Sequence, residues 1–112
     1  MTAATYDVEI DQGSDFAMQL QVSEDDVIRD LTGYSARGQI RQSKNSSTVA
    51  ADFVCSVSDP ELGKIDISLA NASSSAVKPG VYFYDIEIYT ANDASVTRLI
   101  QGTVSISQEV TR

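Results

Sequence analysis

Two carboxylates, Asp85 and Glu87, stand two residues apart in the stretch GVYFYDIEIYT, residues 80–90. On an extended strand both point to the same side with Cβ atoms about 6–7 Å apart, a spacing that serves paired-carboxylate hydrolysis only where a pocket raises one pKa. Nothing in the surrounding sequence supplies such a pocket. Their neighbours on that side are Val81, Phe83 and Tyr89. Arg37 and Arg41, spaced along one side of another alternating run, are suited to lie opposite and neutralise the two acids. The expectation is a solvent-side ladder of carboxylates and guanidiniums, with no catalytic residue.

Other reactive chemistry is scarce. The chain contains no histidine, which removes Ser-His and Cys-His nucleophiles and the commonest zinc ligand. EDD at 24–26 and DQGSD at 11–15 offer clustered oxygens but lack the spacing of an EF-hand loop, so both read as solvated turns and no metal is expected. Lone glycines in QGSD and LTGY cannot cradle a phosphate, so no nucleotide cofactor is expected either. Cys55, in DFVCSV, is the single cysteine; it cannot form an intramolecular disulfide and reads as a small buried apolar side chain.

The elements that must position these residues follow from alternation. In FAMQLQV the residues Phe16, Met18, Leu20 and Val22 share one side and Ala17, Gln19 and Gln21 the other, the period of a half-buried strand. The same period runs through Tyr6, Val8 and Ile10; Tyr34, Ala36, Gly38 and Ile40; Phe53, Cys55 and Val57; and Ile65, Ile67 and Leu69. Two longer strands follow, with Tyr82, Tyr84, Ile86 and Ile88 inward on one and Val96, Arg98, Ile100, Gly102, Val104 and Ile106 alternating against Thr97, Leu99, Gln101, Thr103 and Ser105 on the other. Turn residues separate them at DQGSD, DLTGY, SDPELGK and ANDAS; Asn92 and Asp93 tolerate positive φ and predict a hairpin between the last two strands. NASSSAVKPG predicts a single helical turn with Asn71 as N-cap, ended by Pro79-Gly80. RQSKNSSTVAAD reads as a long polar loop.

Seven strands with short connections predict one all-β domain over residues 1–112: an immunoglobulin-like antiparallel sandwich with one short helical turn, with a small closed barrel as the alternative. A chain of 112 residues buries about 65% of its unfolded surface, enough for one core. Sixteen acidic against eight basic residues leave a net charge of −8, which repels phosphate backbones and anionic lipid. Neither nucleic acid nor membrane is an expected partner. MTAATYDVEI lacks a basic region followed by an apolar run, so no secretion signal is expected, and the sequons at Asn45 and Asn71 carry no glycosylation reading.

Four of the five tyrosines, Tyr6, Tyr34, Tyr82 and Tyr84, fall on inward rows and read as core. On the opposite side Val81, Phe83 and Tyr89, joined by Leu99 of the next strand, form an apolar outward row that reads as a contact surface for another polypeptide. The first strand and Val49 to Val57 are the expected sheet edges.

The succession IDQGSDF, DLTGYSARGQIRQS, GKIDISLANASSSAVKPGVYFYDIEI and TRLIQGTVSISQEVTR resembles small tailed-bacteriophage proteins and is similar to the N-terminal domain of baseplate upper proteins. The resemblance spans nearly the whole chain. It implies that Gly33 opens the turn into the third strand, that Pro79-Gly80 sets the entry to the sixth, and that EVTR closes the seventh. Gly38, where a bulky residue is usual, and Lys78, where a small or apolar one is, depart from the pattern. In those proteins a long region follows the domain, whereas this sequence stops at Arg112 and is expected to act as a free-standing subunit. The implied function is a non-enzymatic virion structural protein, assembled in the host cytoplasm in many copies, that attaches tail, baseplate or fibre subunits. Capsid decoration or head-fibre anchoring is the alternative expectation, and a carbohydrate-binding sandwich ranks last.

Overall fold

The alternating runs become strands, and their pairing settles which neighbours they meet. A computed structural model describes residues 3–46 and 48–110. The chain forms β1 (Ala4–Thr5), β2 (Val8–Asp11), β3 (Phe16–Gln21), β4 (Ser23–Glu24), β5 (Val27–Ile28), β6 (Ser35–Arg41) and β7 (Val49–Asp59). It continues through β8 (Lys64–Leu69), the helical turn α1 (Asn71–Ser75), β9 (Gly80–Tyr89) and β10 (Val96–Ser107). The fold is all-β.

The strands follow the order β1, β10, β9, β6, β7, β8, β3 in one curled sheet, with β2 also beside β10. The curl passes through β7. Val49, Ala51, Asp52 and Phe53 pair with β6, whereas Val54 to Val57 and Asp59 pair with β8. Each half of β7 therefore has a partner on one side only, which agrees in part with the expectation that Val49 to Val57 is an edge. Across the interior the Phe53 ring lies 6.1 Å from Phe16 and 5.9 Å, edge-on, from Tyr84. Ile40, Ile65, Ile67, Ile86, Ile88 and Val104 have no exposed surface, and the buried residues form one cluster.

Antiparallel pairing does not hold throughout. β1 and β2 run parallel to β10, with Ala4 opposite Ile100 and Val8 opposite Val104. These strands lie far apart in the chain, so no tight turn constrains their direction. Both keep one register, yet the ladder is interrupted between them. The Tyr84 hydroxyl donates to the Tyr6 carbonyl at 2.6 Å, and the Thr103 N–H donates to Asp7 Oδ1 at 3.0 Å, so a side chain supplies the acceptor that the backbone withdraws. Tyr6, expected inward, is 56% exposed for this reason. Its carbonyl rests where a Cβ on Gly102 would stand.

A polar clamp closes the end near α1. The Ser74 hydroxyl, fully buried, donates to Ser14 O at 2.8 Å and accepts the Gly13 N–H at 3.1 Å; Gln12 Nε2 donates to Val77 O at 3.0 Å. Asn71 is not the N-cap: Ala70 holds that position and Asp15 Oδ1 accepts the Asn71 N–H at 2.8 Å. A carboxylate from a distant turn thus serves the helix where a local side chain was expected. EDD proves to be the turn of a small hairpin, β4–β5, with Asp25 and Asp26 both left-handed at φ 52 and 64. Gly33 takes a positive φ before β6, and β9 starts at Gly80. EVTR does not close the last strand: β10 ends at Ser107, and Thr111 and Arg112 lie outside the described residues.

Gly102→Ala is expected to cost about 1–3 kcal/mol by forcing the Tyr6 carbonyl off Tyr84; urea denaturation measures it, and a neutral result would show that β1 and β2 yield freely. Burial pushes the Cys55 thiol up from 9.0 to about 11, and burial, with Tyr6 and Asp7 nearby, pushes the Tyr84 phenol up from 10.0 to about 12. Both folded pKa values lie above the ordinary ones, so the folded state holds these protons more tightly and stability is fully present below pH 9. It is expected to fall between pH 9 and 12, and thermal unfolding of Cys55→Ala should flatten the lower part of that decline.

Candidate functional site

The outward side of β9 is the place where charge, aromatic surface and concavity meet. Its residues Val81, Phe83, Asp85, Glu87 and Tyr89 alternate with the buried row Tyr84, Ile86 and Ile88. β6 and β10 flank it on either side, with Arg37 opposite Glu87 and Gln39 opposite Asp85 on one, and Gln101 opposite Asp85 on the other. β6 approaches closely because Gly38 has no side chain: a Cβ there would press on the Ile86 Cδ1 and the Asp85 carbonyl. That contact explains the glycine at position 38.

Both acids meet guanidiniums, though not the pair expected. Arg37 Nε bonds Glu87 Oε1, and its Nη1 lies 3.3 Å from Asp93 Oδ1 in the β9–β10 turn. The same guanidinium stacks over the Tyr89 ring at 4.3 Å, and the Glu87 carboxylate raises its pKa further. Asp85 pairs with Arg98 at 3.2 Å. Arg41, expected there, instead donates to Ser46 O at 2.6 Å and to Gln39 Oε1 at 2.7 Å, bracing the loop after β6.

Arg98 reaches Asp85 because β10 bulges. The register with β9 shifts between Arg98 and Ile100, so the alternation changes phase there. Arg98 and Val96, expected inward, are exposed on the outer side; Leu99, expected in the outward apolar row, is buried at 6% exposure beside Ile100. Of the four expected contact residues, Val81 is 62% exposed, Phe83 and Tyr89 are half-buried, and Leu99 belongs to the core. A cation lies over each half-buried ring: Arg37 on Tyr89, and Lys44 5.8 Å from the centre of Phe83.

Part of this surface is an open groove of about 590 Å³. Phe83, Asp85 and Gln39 contribute to it from the two adjacent strands, Asp7 from the interrupted first strand, Lys44 from the loop after β6, and Arg98 from the bulged strand. Charges of both signs alternate across it. Such a lining can accept hydrogen-bonding and ionic groups from a large partner while the Phe83 ring gives an apolar contact point. Among the described residues no three His, Cys, Asp or Glu side chains converge to hold a metal, and no helix is long and apolar enough to cross a membrane. No family model matches the sequence, and no curated protein is significantly similar to it.

Because the ion pairs are largely solvated, Arg37→Ala is expected to shift the thermal midpoint by less than about 3 °C despite removing two ion pairs and a ring contact. Ile86→Ala, beneath the same strand, should cost about 2–5 kcal/mol. Comparable losses from the two would mean that the ladder holds β9 in place as firmly as the core row does.

Proposed function

We propose that this chain is an immunoglobulin-like sandwich that works through protein–protein contact, as a non-enzymatic structural module of a tailed-phage virion attached to the tail or baseplate. The groove on the outer side of β9 carries the contact reading. Within it Asp85 pairs with Arg98 and Lys44 lies over the Phe83 ring, so a partner meets a prearranged polar rim around a small apolar centre. The sequence resemblance to baseplate upper proteins supports the virion setting.

Several features support the sandwich. β2, β10, β9, β6 and the first half of β7 make one group of paired strands, and the second half of β7 with β8 and β3 makes another. Aromatic rings from the two groups meet across the interior. Near the start of β9 the Tyr82 hydroxyl donates back to Lys78 O at 2.6 Å, the tyrosine-corner arrangement of immunoglobulin-like domains, and a helical turn precedes it.

Phe83→Asp tests the contact reading without touching the core. The variant is expected to remain folded, within about 1 kcal/mol of the parent, and to be missing from purified virions when supplied in place of the parent in an infected host. Incorporation at the parent level would overturn the assignment of this groove, and a soluble monomer that binds glycans and never sediments with virions would overturn the virion reading.

A further inference from the structure

We infer that two copies of this chain associate through β3, which pairs antiparallel with its own counterpart and joins the two sheets edge to edge. β3 closes one end of the strand order, and β8 is its only strand partner among the described residues. The ladder between them is regular from Phe16 opposite Leu69 to Gln21 opposite Lys64, and the Val22 N–H continues it to Gly63 O at 2.8 Å. Strand geometry then directs the even-numbered N–H and C=O groups toward β8 and those of Ala17, Gln19 and Gln21 toward the open edge.

The composition of that edge is unlike the rest of the surface. FAMQLQ holds no charge, no proline and no glycine, in a chain with sixteen acidic and eight basic residues. Proteins that keep an edge strand from pairing place charges, prolines or bulges on it. Two other edges of this molecule do so: β7 carries Asp52 and Asp59 with a register shift in each half, and the first strand is broken at Asp7. β3 has none of these devices.

Two observations select a second copy as the occupant. First, the strand is self-complementary about Gln19. With the twofold axis through that residue, Gln19 faces Gln19 of the second copy in a hydrogen-bonded pair, Ala17 faces Gln21, and Met18 faces Leu20 on the core side. Second, no charged side chain of β3 faces its own like across that axis, so the strand itself adds nothing to the repulsion between two molecules of net charge −8. The core row also stops short at this edge. Phe16, Met18 and Leu20 are only half-buried, whereas their partners Leu69, Ile67 and Ile65 are 1%, 0% and 0% exposed. A second β3 would extend that row by one strand on each side.

An edge contact of this size falls in the small-interface class, so exchange between monomer and dimer is expected in the micromolar range. Sedimentation equilibrium from about 10 μM to about 1 mM should give a monomer–dimer system that tightens as sodium chloride screens the like charges. Gln19 is exposed and its N–H faces the open edge, so Gln19→Pro should fold and remain monomeric. Gln19→Lys and Gln19→Glu place like charges face to face and should each weaken the dimer at least about tenfold, while their equimolar mixture should restore it. The charge pair decides the question even if the proline variant fails to fold. A parent protein monomeric throughout the range, a dimer that persists in Gln19→Lys, or a mixture that stays monomeric would each overturn the inference. The outcome is independent of the virion reading.

Discussion

The hydrogen bond from the Tyr84 hydroxyl to the Tyr6 carbonyl is the interaction on which both the closing of the sheet and the shape of the groove depend. It connects one end of the buried row of β9 to the place where the first strand leaves its ladder. Gly102 makes the geometry possible by leaving room for the carbonyl, and Asp7 compensates by accepting the Thr103 N–H. With the carbonyl turned inward, Tyr6 turns outward and the Asp7 side chain is held at the groove. A backbone acceptor redirected toward the core therefore builds a surface feature, at the cost of one ladder hydrogen bond replaced by two from side chains.

The elements with strict alternation were legible in the sequence because burial and period 2 carry the same information there. β3, β6, β8 and the inward row of β9 lie where the pattern puts them, and the β9–β10 hairpin turns through Asn92 and Asp93 at φ 58 and 54 as their residue types suggest. The outward placement of Asp85 and Glu87 and their pairing with guanidiniums were legible for the same reason. What escaped was phase. A one-residue bulge leaves no mark in composition, yet it reverses every side chain that precedes it on the strand. Leu99 and Arg98 exchanged roles on that account, and with them the partner of Asp85. The adjacent apolar pair Leu99-Ile100, two residues where strict alternation allows one, is the signal that could have shown it.

Long-range polar contacts were the other illegible class. Asn71 looks like a cap because its type is right, but the carboxylate that serves the helix comes from Asp15, in a turn more than fifty residues earlier. Ser74 sits in a run of three serines with nothing to distinguish it, and only the packing of the β2–β3 turn makes it the fully buried one. The parallel pairing of the first strand with the last belongs here as well, since strand patterns specify which face is buried and leave direction open.

Charge explains why the surface is divided as it is. A protein of net charge −8 must offset or avoid its own field wherever it touches another acidic molecule. On the outer side of β9 the acids that would repel a partner are matched by Arg37 and Arg98, and the rings between them carry cations. Along β3 the charges are simply absent. The first arrangement suits a dissimilar partner, because alternating signs discriminate between surfaces; the second suits an identical one, because a neutral strand matches itself under a twofold axis. The two surfaces lie on separate strand groups, so a contact at one would leave the other open.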